Sequence, residues 1–196
     1  MKKILRHPLG LIVTLFSCAT ALAQNPLPPE QRTIQGPQEQ LGEMSFFITS
    51  VGPGDGGNLG GLAGADAHCQ MLAESVGAGE REWRAYLSTQ AFDGQEAVNA
   101  IDRIGQGPWY NAKGVRIAES LEALIYDNSG INYATALNEK GGHIGSLSVG
   151  DENNQKDMMT GSTKAGKAMD PAENTTCSNW TSNDEGTAQV LSLIHI

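Results

Sequence analysis

The sequence is short of positive charge, of long apolar runs and of cysteine. Its 196 residues carry 13 Lys and Arg against 22 Asp and Glu, so the formal net charge is −9. Such an acidic excess repels nucleic acid and anionic lipid, and neither is expected as a partner. No apolar run reaches the ~20 residues that a membrane-spanning helix needs, so we expect no transmembrane segment. Only 3 cysteines are available for disulfides.

The N-terminal 23 residues have the three parts of a secretory signal peptide. Residues 2–6 contain three basic side chains, residues 9–16 are apolar, and residues 21–23 read Ala-Leu-Ala, which matches the A-x-A cleavage pattern. The alternative is a lipoprotein box at residues 15–18, which its phenylalanine fits poorly. Removal of the signal peptide brings the formal charge from −9 to −12, because the segment holds three positive and no negative charges. We therefore expect an exported protein that is secreted, periplasmic or at the cell surface.

The rest of the chain divides into a tether, a domain and a short tail. Residues 24–43 contain four prolines and several glutamines, which is typical of a disordered tether. Residues 44–190 are long enough for one domain with a sizeable core. Residues 191–196 form an apolar tail that we do not expect to belong to the domain.

A glycine-rich stretch joins an apolar run at residues 46–51, predicted to be a strand, to a helical pattern. Six glycines occur within residues 54–64, which indicates backbone with positive φ or close packing. Apolar residues then recur at spacings of three and four, which predicts one apolar helix face made of Leu62, Ala65, Cys69, Leu72 and Val76. We expect Asp66 in the first turn of this helix and Gly77 at its end.

The other predicted elements are short. Residues 82–88 alternate between apolar and polar side chains, which predicts a half-buried strand. Further along the chain we expect a short helix at 95–104, a turn at 107–111, a brief strand around 115–117, a short helix capped by Ser120, a long polar region at 138–176 and a strand at 177–182. These elements predict an α+β domain with short strands, two or three short helices and long loops.

Six motifs in this order resemble a known family. They are Phe46-Phe47-Ile48-Thr49, the stretch 56–70 ending in Gly-Ala-Asp-Ala-His-Cys-Gln, Trp83-Arg84-Ala85-Tyr86-Leu87-Ser88, Asp102-Arg103-Ile104-Gly105, Gly107-Pro108-Trp109-Tyr110-Asn111 and Cys177-Ser178-Asn179-Trp180-Thr181-Ser182. The chain resembles bacterial secreted endostatin-like (collagen noncollagenous) domains over residues 44–190. The resemblance implies a C-type-lectin-like fold, which mostly hosts binding modules of varied ligand.

The cysteines depart from the pattern of this family. Cys69 and Cys177 are the two that follow the signal peptide, and they either pair with each other or each lack a partner. The resemblance implies two nested disulfides whose other cysteines would lie beyond residue 196, and hence a domain that is incomplete at its C-terminus. The tail at 191–196 looks like translated sequencing adapter, and the alternative is a genuine apolar strand. The zinc-binding histidines of the animal domains have no counterpart here.

Two groups of residues are candidates for binding. Trp109, Tyr110 and Asn111 follow a Gly-Pro pair, and the rings of Trp109 and Tyr110 suit stacking on a sugar; the alternative is that these two aromatic residues pack in the core. Asp151, Asn153 and Asp157 offer clustered oxygen ligands for calcium, with a solvated polar loop as the alternative.

Catalysis finds little support in the sequence. No G-x-S-x-G motif occurs, and His68 and His143 have no partners at metal-ligand spacing. We therefore expect not an enzyme but an exported, non-catalytic binding or adhesion module, with an extracellular glycan or matrix-like protein as ligand. We expect no cofactor, with calcium as the alternative. The alternatives are a calcium-dependent structural module of the cell envelope and an exported hydrolase.

Overall fold

The computed structural model describes residues 41–127, 129–144 and 157–192. Within these ranges the chain is a mixed α+β domain of short elements joined by long loops, which confirms the predicted class. The elements, in chain order, are helix α1 (Gly61–Ser75), a 3-10 helix (Ala100–Arg103), strands β1 (Trp109–Tyr110) and β2 (Arg116–Ala118), a π-helical turn (Ala123–Asp127), strand β3 (Asp157–Met159), α2 (Cys177–Trp180) and strand β4 (Val190–Ser192). The predicted signal peptide and most of the predicted tether lie outside the described residues.

The described strands form two separate antiparallel pairs. Strand β1 pairs with β2, with Trp109 opposite Ala118. Strand β3 pairs with β4, with Met158 opposite Leu191. The turn predicted at 107–111 is therefore wrong at its centre, where β1 lies, whereas the brief strand around 115–117 is confirmed as β2. Leu191 and Ser192 of the predicted tail belong to β4, and residues 193–196 lie outside the described part of the chain.

Helix α1 confirms the prediction from apolar spacing except at Val76, which follows the helix as its C-cap and is 38% exposed. It spans Gly61–Ser75, and Gly77 follows it with φ of 78°. Ala65 and Leu72 are buried on its inner face. The placement of Asp66 in the first turn is wrong, because the helix begins at Gly61 and no acidic residue lies in its first turn. The glycine-rich stretch does use positive φ, at Gly54, Gly56, Gly60 and Gly61.

The extended segment at residues 82–88 confirms the predicted alternation but does not pair as a strand. Trp83, Ala85 and Leu87 are buried, while the side chains between them are more exposed. The backbone N–H of Trp83 donates to the Gln70 side chain at 3.0 Å, and that of Ala85 donates to Asp66 at 2.8 Å. Side chains of α1 therefore accept hydrogen bonds from backbone N–H groups that would otherwise donate to a neighbouring strand.

Val98 explains why the helix predicted at 95–104 is wrong over most of its length. Its backbone pairs with that of Thr89 through hydrogen bonds of 2.9 and 3.1 Å, which holds this part of the chain extended. A helix remains only at Ala100–Arg103, as one 3-10 turn. The short helix predicted after Ser120 does form, and the Ser120 hydroxyl accepts the N–H of Ala123 at 3.3 Å, as expected of a cap.

The strand predicted at 177–182 is wrong, because α2 is a left-handed turn. Its four residues have φ between 47° and 68°, a conformation that costs residues other than glycine roughly 1–2 kcal/mol each. The Thr176 hydroxyl accepts the N–H of Asn179 at 3.2 Å, and the Asn179 side chain exchanges two hydrogen bonds with the backbone of Gln90. These bonds, together with the buried ring of Trp180, hold the strained turn.

Among the described residues, the buried apolar side chains form three small clusters rather than one layer. One surrounds Trp180, a second surrounds Ile48, and a third surrounds Ile117. Phe46 packs against both the second and the third cluster. The extended segments at 46–51 and 82–88 each contribute to a cluster, and these segments also form the walls of the cleft described below.

Glu139 carries a buried carboxylate that ties the first extended segment in place. Its oxygens accept the Ser50 hydroxyl at 2.5 Å and the Ser50 N–H at 3.1 Å, and Lys140 Nζ lies 3.7 Å away. Burial alone would raise the pKa of Glu139, but the hydrogen bonds from Ser50 and the charge of Lys140 outweigh burial and lower the pKa. The folded state therefore favours the ionised carboxylate.

Replacement Ser50→Ala should destabilise the domain in a pH-dependent way. A group with a lowered pKa stabilises the fold above its unfolded pKa, and this contribution is lost as the pH falls through the folded value. We expect S50A to lower the free energy of unfolding by about 1–2 kcal/mol at pH 7 and by less at about pH 3. Urea unfolding followed by circular dichroism at both pH values measures the difference. An equal loss at both would contradict the assigned role of Glu139.

Candidate ligand-binding cleft

A large cleft lies between the two extended segments and the β3–β4 pair. Its volume is about 1840 Å³, which exceeds the roughly 300–1,000 Å³ of a typical small-molecule pocket. Residues 45–53 and 82–87 supply much of the lining, with contributions from β3 and β4. Most of these side chains are apolar or aromatic. The cleft is therefore suited to an extended ligand with apolar groups.

Phe47 and Trp83 form an aromatic pair in the lining. Their ring centroids lie 4.8 Å apart with the planes tilted by 54°, a favourable arrangement for two aromatic rings. Trp83 is held from behind, because its indole N–H donates to the Ala78 carbonyl oxygen at 2.8 Å. Phe47 is half-buried, so part of its surface remains available to a ligand.

Arg84 and Tyr86 lie on the opposite face of the chain from the buried side chains of residues 82–88. Arg84 is exposed, and its guanidinium pairs with Glu82 at 2.7 Å. Tyr86 is half-buried, and burial raises the pKa of its hydroxyl. A side chain on Gly166 would collide with that hydroxyl, since an added Cβ would lie 2.5 Å from it. The loop at Gly166 therefore packs closely on Tyr86.

An ion pair between Asp66 and Arg103 fixes the position of residues 82–88. Arg103 Nη2 donates to both carboxylate oxygens of Asp66, at 2.6 and 2.8 Å, and its Nη1 donates to the Ala85 carbonyl oxygen at 2.5 Å. Asp66 also accepts the Ala85 N–H at 2.8 Å. The side chain of Arg103 is 8% exposed and that of Asp66 is 27% exposed. The pair thus joins α1, the 3-10 helix and one wall of the cleft.

The predicted stacking residues occupy different environments. Trp109 is 7% exposed and belongs to a core cluster, although it contributes to the cleft lining. Asn111 is 1% exposed; its amide donates to the Thr135 carbonyl, and its oxygen accepts the N–H groups of Lys113 and Val115. Tyr110 is half-buried and does not line the cleft. The placement of Trp109 and Asn111 agrees with a structural role.

The calcium hypothesis concerns three residues, and only one of them is within the part of the chain that the structure describes. Asp151 and Asn153 lie outside the described residues, and Asp157 is an exposed residue of β3. Across residues 41–127, 129–144 and 157–192, no group of three or more His, Cys, Asp or Glu side chains is arranged to hold a metal ion. The carboxylate of Asp55 does meet Asn58 and Asn183, but both contacts are hydrogen bonds from amide nitrogens.

The two cysteines that the structure describes are free thiols. Cys69 packs beside Trp180 and the inner face of α1. Burial and the nearby Asp66 charge raise the pKa of its thiol to about 11, with Arg103 opposing them. Cys177 lies against Gly57, where an added Cβ would collide with its sulfur. The sequence left two alternatives for these cysteines, a bond between them or a separate partner for each. The Cys69–Cys177 bond is not formed in this structure, so the second alternative remains.

His68 and His143, the two histidines considered for catalysis, each contact a backbone carbonyl oxygen. His68 Nε2 donates to the Val51 carbonyl oxygen at 2.8 Å. His143 Nδ1 lies 3.0 Å from the Tyr133 carbonyl oxygen, and the two rings stack with centroids 5.2 Å apart. Only His68 lines the cleft.

Comparison with known proteins returns no match, either to the sequence profile of a protein family or to a curated protein. The endostatin-like, C-type-lectin-like identity therefore stays a prediction from the ordered motifs. Among the described residues, no helix is long and apolar enough to cross a membrane.

The sequence signalled some of the cleft residues without identifying them as a site. The alternation at residues 82–88 separates Arg84 and Tyr86 from the buried face, which is the pattern of side chains free to contact a ligand. Phe47 carries no such signal, because it lies in a continuous apolar run. Its place in the cleft depends on contact with Trp83, 36 positions further along the chain.

Proposed function

We propose that the chain is an exported, non-catalytic binding module whose ligand lies in the cleft. The observation that supports this proposal is a cleft of about 1840 Å³ lined mainly by apolar and aromatic side chains. Its length along two extended segments suits part of a polymer, either a glycan or a segment of a matrix-like protein. The proposed identity as an endostatin-like domain agrees with this function, since C-type-lectin-like folds mostly serve binding.

Two matched substitutions test the cleft as the binding site. Phe47→Ser places a polar group in the lining, whereas Phe92→Ser changes an aromatic residue that is 64% exposed and outside the cleft. Ligands are first sought on arrays of glycans and extracellular proteins, and the affinity of each hit is then measured by calorimetry. We expect F47S to weaken binding about tenfold or more, because it removes buried apolar contact, and F92S to change it less than about twofold.

The two variants also state what would contradict the proposal. Equal affinities for F47S and F92S would place the ligand elsewhere on the surface. If the wild-type chain bound nothing on the arrays, the result would contradict both a glycan and an extracellular protein as the ligand of the cleft. Binding measured with and without a calcium chelator separates this proposal from the calcium-dependent alternative.

A further inference from the structure

Residues 92–95 form a tight hairpin loop around an Asp-Gly pair. The backbones of Phe92 and Gln95 exchange hydrogen bonds of 2.9 and 3.2 Å, so only Asp93 and Gly94 lie between the paired positions. These two residues have φ of 47° and 77°. Positive φ at both central positions is the mark of a type I′ turn, in which Asp-Gly is a preferred pair. The loop therefore has the turn type that suits its sequence.

An Asp-Gly pair can also react with itself. The Gly94 nitrogen attacks Cγ of Asp93 and closes a succinimide ring, while one carboxyl oxygen leaves as water with the carboxyl proton and the amide proton. Water then opens the ring. Cleavage between the nitrogen and Cγ restores aspartate, whereas cleavage between the nitrogen and the backbone carbonyl carbon leaves the chain linked through Cγ, as isoaspartate. The water released in the first step is replaced in the second, so the mass of the chain is unchanged.

The structure leaves both reacting groups of this loop accessible. Asp93 and Gly94 are exposed. Within the described ranges, neither the Asp93 carboxylate nor the Gly94 N–H has a hydrogen-bond partner. The space around Gly94 is open, because an added Cβ would meet nothing within 4 Å. The nucleophile and the electrophile are therefore neither bonded nor shielded by the described residues.

The other Asp-Gly pair of the sequence, Asp55-Gly56, is restrained. The Asp55 carboxylate accepts a hydrogen bond from the Asn58 amide at 2.7 Å and another from the Asn183 amide. Attack by the Gly56 nitrogen requires this carboxylate to give up bonds that stabilise it where it is. The chain thus holds one unrestrained and one restrained copy of the same dipeptide, and each serves as the reference for the other.

We propose that Asp93 is a site of spontaneous isoaspartate formation and that hydrogen bonding protects Asp55 from the same reaction. The isoaspartyl linkage inserts one additional atom into the backbone of the loop, which disrupts the pairing of Phe92 with Gln95. The same hairpin carries Gln90, whose backbone is bonded to the Asn179 side chain. Modification of the loop therefore weakens a segment that holds turn α2. The inference concerns the chemistry of the chain itself and is independent of the proposed ligand.

Incubation of the full chain for several weeks at physiological temperature tests the proposal. Trypsin places the two pairs in different fragments, residues 85–103 and residues 33–81. An isoaspartyl fragment keeps its mass, elutes at a different position in reversed-phase chromatography and resists endoproteinase Asp-N at the modified residue. We expect Asp93 to convert at least about tenfold faster than Asp55, because two hydrogen bonds must first break at Asp55.

Two variants change the reacting group and its restraint separately. Asp93→Asn keeps a residue that suits the turn, but ring closure then releases ammonia instead of water. We expect D93N to react faster than the wild-type chain, because an amide needs no protonation before attack, whereas an ionised carboxylate does. Asn183→Ala removes one donor to Asp55. It should raise isoaspartate formation at Asp55 about fivefold and leave the rate at Asp93 unchanged.

The rates at the two sites decide the proposal. Conversion of Asp55 as fast as that of Asp93 would overturn it. So would the absence of isoaspartate at Asp93 while a synthetic peptide of residues 89–98 converts, because the folded hairpin would then protect the pair. An unchanged rate at Asp55 in N183A would contradict the protective role of hydrogen bonding. Hydrogen exchange at Gln95 should be faster in the purified isoaspartyl form, and equal exchange in both forms would contradict the expected loss of pairing.

Discussion

Replacement Trp180→Ala should lower the free energy of unfolding by about 3–5 kcal/mol, the usual cost of removing a large buried aromatic ring. Trp180 is 0% exposed and packs against Ala65, Ala85 and Leu87, where α1 meets the wall of the cleft. Its indole N–H donates to the Ser88 carbonyl oxygen at 2.8 Å. It also ends the left-handed turn α2, so the burial of its ring offsets part of the backbone strain there.

Urea unfolding followed by circular dichroism measures this loss. Trp180→Phe separates packing from hydrogen bonding, because it keeps an aromatic ring but leaves the buried Ser88 carbonyl without its donor. We expect W180F to cost about 1–3 kcal/mol, clearly less than W180A. Phe92→Ala, at a position that is 64% exposed, should change stability by less than about 0.5 kcal/mol. A cost for W180A below about 1 kcal/mol would contradict the central place of Trp180 in the core.

Helix α1 was predictable because its information is local. Four apolar positions at helical spacing and a following glycine decide that helix without reference to the rest of the chain. The same holds for the burial alternation of residues 82–88. In both cases, the spacing of apolar side chains along the chain decides directly which face of the segment is buried.

The left-handed turn α2 was not predictable, because its local hydrogen bonds, such as that from the Asn179 N–H to the Thr176 hydroxyl, are joined by contacts with residues far away in the chain. Ser178 and Asn179 adopt positive φ in a turn where Asn179 also bonds with Gln90 and Trp180 is buried under Gly161. Gln90 lies 89 positions earlier than Asn179 in the chain. A conformation held by contacts of such separation leaves no mark in the spacing of neighbouring residues.

The cleft was unpredictable for a related reason. Its walls come from two segments that the sequence assigned to strands, and strands are expected to be paired. The structure instead pairs the N–H groups of Trp83 and Ala85 with side chains of α1, and the N–H groups of Arg84 and Tyr86 have no partner among the described residues. Whether an extended segment is paired depends on which neighbours reach it, and periodicity carries no information about that.

Replacement Arg103→Met should lower the free energy of unfolding by about 3 kcal/mol, the lower end of the range for breaking a buried ion pair. The lower end applies because the side chain of Asp66 keeps 27% exposure, so water relieves part of its charge. The variant also removes the donor to the Ala85 carbonyl oxygen. Arg81→Met is a matched control, since Arg81 and its partner Glu43 are 50% and 86% exposed. An exposed pair of this kind should contribute no more than about 1 kcal/mol.

The double variant Asp66→Asn with Arg103→Met distinguishes a lost contact from a stranded charge. Asparagine keeps an oxygen that accepts the Ala85 N–H but carries no charge. If the cost of R103M arises mainly from the unpaired carboxylate, the double variant should be more stable than R103M alone, by roughly 1 kcal/mol or more. Equal losses for R103M and R81M in urea unfolding would contradict the burial of the pair. A double variant less stable than R103M would instead show that the ionised carboxylate of Asp66 stabilises this wall of the cleft even without Arg103, through the hydrogen bond that it accepts from the Ala85 N–H.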